Sequence, residues 1–289
     1  MAHIIFVSSY NTSSYIIFWI NKKLAKQKIN DSILVISYFM NYLFTRSTDT
    51  PMELRQLFDP ESSTYSYLVW DKESREAALI DPVQERVYRD ITLIRELNLK
   101  LKYTLETHVH ADHITGSGTL RQIFNSIVMV HENSRAKCAD VLIKGGDFIP
   151  LGSSKIHVLY TPGHTDSDVS YLIPGAVFTG DSLLIRGCGR TDFQSGDAGT
   201  LYDSITQQLF TLPGDTTLYP GHDYEGRSFS SITEEKSHNP RIGKDKSRAE
   251  FIEIMNGLKL EPPQRIHEAL PSNLRCGPHS ADLLHSLNP

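Results

Sequence analysis

Four side chains able to bind a metal crowd into the stretch Thr107-His108-Val109-His110-Ala111-Asp112-His113. The run 101–107 that leads into them mixes apolar and polar residues and predicts a strand. Alternate residues of an extended segment point the same way, so His108 and His110 can reach one point in space. Asp112 and His113 fall past the strand's end, where the chain turns toward a helix suggested by 115–124. Their side chains can face a second point nearby. Imidazole with carboxylate suits Zn, Fe, Mn or Ni better than Ca or Mg. The cluster therefore implies one metal, or two side by side. Further candidates follow three more predicted strand ends: His164, Asp181 and His222. Each has a glycine before it (Gly163, Gly180, Gly221), which lets the backbone turn sharply and approach a metal closely. A hydrogen-bonded polar loop would explain any one of these features. It does not explain the ordered set, which fits catalytic groups gathered on loops at one edge of a sheet scaffold.

The elements that must hold these groups are legible in the pattern of the chain. Segments 64–70 and 77–80 predict a hairpin around the polar turn 71–75. Val87, Ile91, Ile94 and Leu97 recur at helical spacing over 84–97. Strands are predicted at 101–106, 127–130, 155–160, 169–173, 176–178 and 217–219. Helices are predicted at 119–124, 200–210, 230–237 and 247–255. No repeat or low-complexity linker divides 52–277, which reads as one domain of mixed α and β elements. Residues 1–51 read as an extension, a leader or a mis-called start. Their basic residues before Asp31 are Lys22, Lys23, Lys26 and Lys28, and the apolar patches 15–20 and 33–44 are each too short to span a bilayer. The tail, 278–289, carries no clear signal.

The 289 residues suffice for one large or two small domains, and 39% hydrophobic with 22% charged residues is the balance of a soluble globular chain. The net charge of −5 leaves no electrostatic footprint for nucleic acid and speaks against a nuclease. No membrane partner is expected, and a homodimer is left open. The three cysteines, Cys138, Cys188 and Cys276, are widely separated, with no Cys-x-x-Cys pair. They predict no disulfide framework and hence a reducing compartment, with Cys138 in the core.

The T-H-x-H-x-D-H motif, followed by Pro-Gly-His164, Gly-Asp181 and Pro-Gly-His222, resembles the metallo-β-lactamase superfamily. The resemblance implies an α+β fold, the αββα sandwich of two mixed β-sheets flanked by helices. In its two-metal hydrolases the matching first site would be His108, His110 and His164. The second would be Asp112, His113 and His222, with Asp181 bridging. Three longer blocks narrow the match: Thr107 to Gly116, Asp181 to Gln194 (D-S-L-L-I-R-G-C-G-R-T-D-F-Q) and Tyr219 to Gly226. With Asn239-Pro-Arg241 and Asn273-Leu-Arg-Cys-Gly277 they are similar to the persulfide dioxygenase family, across essentially all of 52–277.

That family implies one Fe(II) per subunit held by His108, His164 and Asp181, a two-histidine, one-carboxylate set with open positions. His110, Asp112, His113 and His222 would then orient water or the ligands, or form a second metal site. The implied reaction is glutathione persulfide plus O2 and water giving glutathione and sulfite, in sulfide catabolism. Arg190 leads the candidates for gripping a glutathione carboxylate, followed by Tyr224 and Arg241, with Cys188 near the site. Asp192 and Asp223 read as orienting or structural carboxylates. All seven ligands of a two-metal site are present, so ligand count alone favours the rival, a hydroxyacylglutathione hydrolase of the glyoxalase II type with two Zn or Fe ions. A phosphodiesterase of the same fold and a non-catalytic binding protein fit less well. The expected compartment is cytoplasmic in a bacterium and the mitochondrial matrix in a eukaryote.

Overall fold

The structure is a computed structural model that describes residues 51–278. The expected extension, apart from residue 51, and the tail from 279 lie outside the described residues. Two six-stranded mixed sheets make the frame. The first runs in the order β1 (Met52–Asp59), β2 (Thr64–Asp71), β3 (Glu76–Ile80), β4 (Lys100–Leu105), β5 (Ile127–His131), β6 (Val141–Ile143). Its hairpins β1–β2 and β2–β3 are antiparallel, and β3 to β6 pair in parallel. The second sheet starts at β7 (Phe148–Leu151) and continues through β8 (Ser154–Tyr160), β9 (Val169–Ile173), β10 (Ala176–Gly180), β11 (Thr217–Pro220) and the two-residue β12 (Ser230–Ser231). Only β10 and β11 are parallel there. These sheets and their flanking helices form the metallo-β-lactamase sandwich that the motifs imply.

β2 shows why the sheets stack. All eight of its residues are buried, on both faces. Tyr67 and Val69 join Ile80, Leu105, Val158, Tyr171 and Phe178 in the core between the sheets. Leu68 and Trp70 point the other way, into a second core with Val87, Ile91 and Ile94 of α1 (Val87–Glu96) and Leu120 of α2 (Ser117–Phe124). The two-residue period of the strand thus feeds two layers at once. After β10 come α3 (Ala198–Ser204), which continues as one π-helical turn over Ile205–Leu209, then α4 (Ile232–His238), α5 (Arg248–Asn256) and α6 (Ile266–Asn273). α3 packs on α5, with the Tyr202 and Phe251 rings 5.7 Å apart.

The expected strands and helices are present, with differences. β1 was not foreseen, because an edge strand exposes much of its surface, and β1 alternates exposed with half-buried residues over most of its length. β6, β7 and α6 are likewise additional. The helix expected at 230–237 begins instead with β12. The cysteine reading is corrected: Cys138 and Cys276 form a disulfide, with Cα atoms 5.8 Å apart and a sequence separation of 138. Their spacing hides the pair, because the chain after α6 returns to the turn after β5. Cys138 is half-buried, not core, and only Cys188 is free and buried. The reducing compartment inferred from unpaired cysteines loses that support. No helix among the described residues is long and apolar enough to cross a membrane.

Asp71, at the end of β2, ties the two sheets together. Its carboxylate accepts from Ser74 N and Oγ, and from Ser153 N and Oγ in the β7–β8 turn. Burial would raise its pKa, but these bonds outweigh that and hold it at about 2. A depressed folded-state pKa adds stability that is present above the ordinary value of 3.8 and fades as pH falls through about 2. Asp71→Asn should therefore be less stable than wild type at pH 5, with the gap closing toward pH 2. Melting temperatures of both proteins across that range would test this, and a constant gap would remove the linkage.

Candidate metal centre

The candidate ligands emerge from loops at one edge of the sandwich. β3 and β4 are parallel neighbours, so their ends lie side by side. Asp81, directly after β3, accepts from Thr107 N (2.7 Å) and Thr107 Oγ1 (2.8 Å), directly before His108. The Thr107 carbonyl accepts from Val169 N at the start of β9 (2.8 Å), and the Glu106 carbonyl accepts from Tyr171 Oη (2.7 Å). The histidine loop is thereby fixed to both sheets.

Each ring has one nitrogen engaged by the surrounding protein, which sets its tautomer. Thr107 Oγ1 gives its proton to Asp81, so it accepts from His108 Nδ1 (3.0 Å) and leaves Nε2 with the lone pair. His164 Nδ1 donates to the Arg190 carbonyl (2.7 Å), and its Nε2 stands 3.6 Å from Asp181 Oδ2. His222 Nδ1 donates to the Ser63 carbonyl (3.1 Å), with Nε2 at 3.6 Å from both Asp112 Oδ2 and Asp181 Oδ1. His113 Nδ1 lies against Asp112 Oδ2 (2.9 Å), and His110 Nε2 against Asp81 Oδ1 (3.1 Å). The opposite nitrogens, His113 Nε2 and His110 Nδ1, are buried with no hydrogen-bond partner, as is Asp181 Oδ1. Buried polar atoms are seldom left unpaired, and donor atoms of this kind fit a metal ion.

Three sets of donor atoms each fall within 4.8 Å: His108, His164 and Asp181; His110, Asp112 and His113; and Asp81, Glu106 and His110. Burial pushes the His108 pKa well down, reinforced by His110 and His164, so the ring is neutral. Burial would raise Asp112, but His113 and His222 outweigh it and hold the carboxyl well below the usual range. Both groups are thus in the protonation state a ligand needs. His110 differs. Burial would lower its pKa, but Asp81 and Glu106 on its Nε2 side outweigh that and push it well up, toward the imidazolium.

The other candidates are placed as follows. The Arg190 guanidinium forks onto Asp192 (2.7 and 2.8 Å) and donates to the carbonyls of Glu261 and Leu260, while its own carbonyl orients His164. Arg241 donates to the Cys188 carbonyl (2.5 Å). The Cys188 thiol is buried, and burial pushes it up to about 11, so it is an inert thiol. Tyr224 is 75% exposed and stacks parallel to His222 with centroids 6.0 Å apart. Asp223 accepts from the backbone of Glu225 and Arg227.

Several residues of the site were not read from the sequence. Asp81 sits at a predicted strand end beside Pro82, the one available signal. Ser63 and the Arg190 carbonyl act through partners far away in the chain, whereas Glu106 lies within the predicted strand and faces His110 four residues on. Two glycines allow the close approach: a Cβ at Gly221 would lie 2.6 Å from Asp181 Oδ1, and one at Gly189 would lie 2.8 Å from His164 Nδ1. Gly189 gives the block after Asp181 a physical role, since that block must fold back against two ligands.

Residues 59–222 match the model of the metallo-beta-lactamase superfamily. The chain is 48% identical over 233 residues to the mitochondrial persulfide dioxygenase ETHE1 of Mus musculus, covering 80% of this chain and 91% of that one. It resembles the crystal structure of ETHE1 from Myxococcus xanthus with a TM-score of 0.76 and 54% identity, covering 78% of this chain and 100% of that one. Similarity to a hydroxyacylglutathione hydrolase of Brucella ovis is lower, 37% over 177 residues, covering 60% of this chain and 66% of that one.

Removing the orienting carboxylate should loosen the metal. Asp81→Asn places an amide where the backbone of Thr107 and the ring of His110 need an acceptor. Metal affinity should fall ~10–100-fold while the circular dichroism of the fold is kept. Competition with a chelator measures it, and wild-type affinity would show that Asp81 is only structural.

Proposed function

This chain belongs to the persulfide dioxygenase family of the metallo-β-lactamase superfamily, and from that premise we propose that it oxidises glutathione persulfide with O2 and water to glutathione and sulfite at a single Fe(II). The observation that carries the single-metal reading is the convergence of His108, His164 and Asp181 within 4.8 Å, while His110 turns its Nε2 away to Asp81 (3.1 Å) and Glu106 (3.4 Å). Fe(II) at the first set would supply open positions where triplet O2 and an anionic sulfur can react without the spin barrier between them.

The chain's own residues do the rest. Thr107 and the Arg190 carbonyl fix His108 and His164 in the ligating tautomer. Asp181 brings a negative charge that balances the ion. His110, Asp112, His113 and His222 line the adjacent space and orient water or the persulfide. For the substrate's carboxylates, Arg190 remains the lead candidate. Its fork already holds one carboxylate, that of Asp192, and a substrate carboxylate would take that place. Tyr224, stacked on His222, and Arg241, which donates to the Cys188 carbonyl, follow as candidates. The compartment follows the same premise, the matrix in a eukaryote or the cytoplasm in a bacterium.

One observation favours a second reading, a two-metal hydroxyacylglutathione hydrolase. His110 Nδ1 and His113 Nε2 are buried and unpartnered within reach of Asp112. Metal count and oxygen dependence separate the two. Fe(II)-loaded protein given glutathione persulfide should consume O2 and form sulfite with one iron per chain. Absence of uptake, with lactoylglutathione cleaved by a two-metal form, would establish the hydrolase instead. His164→Ala should lose iron and oxygen uptake while keeping its fold, and an unchanged rate would remove His164 from the mechanism. Arg190→Ala should raise KM for glutathione persulfide ~10-fold or more with a smaller change in kcat. An unchanged KM would assign Arg190 to packing alone.

A further inference from the structure

α6 ends at Asn273, and three residues later the chain reaches Cys276. Asn273 is buried, and its amide grips the metal-ligand loop. Nδ2 donates to the carbonyls of His110 (2.9 Å) and His113 (2.8 Å), and Oδ1 accepts from Thr115 N (2.8 Å). The Cys276 carbonyl accepts from Gly118 N in α2 (2.8 Å). The covalent tie that holds this segment in place is the bridge to Cys138, set in a small apolar cluster of Val128, Val130 and Ala136. That apolar cluster is small, and the bridge is the one covalent tie beside the hydrogen bonds of Asn273 and Cys276 and the Arg265–Glu85 ion pair of α6.

A cavity of about 220 Å³ opens on Cys276, lined by Arg121, Gln122 and Arg275 among others. Arg121 shares its charge with Asp140, and Arg275 is exposed with no ion pair among the described residues. Two guanidinium groups beside a disulfide suit a small thiol that carries carboxylates.

We propose that the Cys138–Cys276 disulfide is a redox latch on the metal-ligand loop, opened by an anionic low-molecular-weight thiol of the glutathione class that binds in the Arg121–Arg275 cavity. The thiolate attacks the Cys276 sulfur, a new bond forms between the two sulfurs, and the bond to Cys138 breaks. Cys138 leaves as a thiolate and takes up the proton that the attacking thiol gave up. A second thiol attacks the mixed disulfide. Two small thiols are thereby oxidised to one small disulfide, and Cys138 and Cys276 are reduced to two thiols. With the bridge open, Asn273 keeps only non-covalent support, its own hydrogen bonds, the bond of Gly118 N to the Cys276 carbonyl and the Arg265–Glu85 ion pair of α6, and the backbone of His110 to Thr115 loosens with it. The latch acts on the loop whatever reaction the metal performs.

Hydrogen exchange of the Fe(II)-loaded full chain, kept free of oxygen, tests this. Reduced glutathione should open the bridge by way of an adduct on Cys276 found by mass spectrometry. Amides of peptides covering 108–118 should then exchange at least ~10-fold faster, with reoxidation restoring the slow rate. Cys138→Ser should exchange fast with or without glutathione. Should that variant not fold, reversible reduction of the wild-type chain gives the same reading. Equal exchange in the oxidised and fully reduced protein would overturn the latch. A bridge that dithiothreitol opens but glutathione leaves intact would overturn the cavity's role. Oxygen uptake is not measured, so failure here and failure of the dioxygenase reading are separate results.

Discussion

One carboxylate, that of Asp81, stands at the meeting point of the whole assembly. It closes β3, receives the backbone and side chain of Thr107 at the end of β4, and faces the ring of His110. Parallel pairing of two strands brings their ends together, and a buried acceptor placed there fixes the direction in which the next loop leaves. Through Thr107 the same carboxylate determines the proton on His108 Nδ1, and so which nitrogen faces inward. A charge this deeply buried is tolerated because each of its oxygens is bonded. The rest of the ligand edge depends on that anchor.

The donor set was legible because its members share a sequence signature. His108, His110, His164, Asp181 and His222 each follow a run that patterns as a strand, and glycines mark the turns. Periodicity predicted mixed α and β elements, while the sandwich came from the family resemblance; β2, buried on both faces, shows in the structure why a layer lies on each side. What stayed hidden acts across long separations. Asn273 holds the loop at His110, Ser63 orients His222, and the Arg190 carbonyl orients His164. A backbone carbonyl has no residue type to read. The disulfide was missed for the same reason: Cys138 and Cys276 carry no local spacing that pairs them, and only the return of the chain after α6 does so. β1 was missed because an edge strand lacks a fully buried face.

Arg190 shows how a family block and a physical role can differ. The block drew attention to its guanidinium as a carboxylate grip. The structure gives its backbone a second duty, holding His164 in register, while Gly189 beside it makes room for the same ring. The side chain and the carbonyl of one residue can thus be tied to the site for unrelated reasons. Substitution data at such a position report both unless the backbone contribution is separated.

The Asn273 bonds also set an order of assembly. A chain is made from its N-terminus, and segments begin to fold as they emerge. The histidine loop appears early, His164, Asp181 and His222 follow, and the amide that satisfies the carbonyls of His110 and His113 comes nearly last. Until it arrives, two loop carbonyls that are destined for burial have only water as a partner. The ligand loop therefore reaches its final rigidity after synthesis of the domain is essentially complete. A nascent chain stalled before α6 would carry every candidate metal ligand yet lack the Asn273 bonds that hold the loop still.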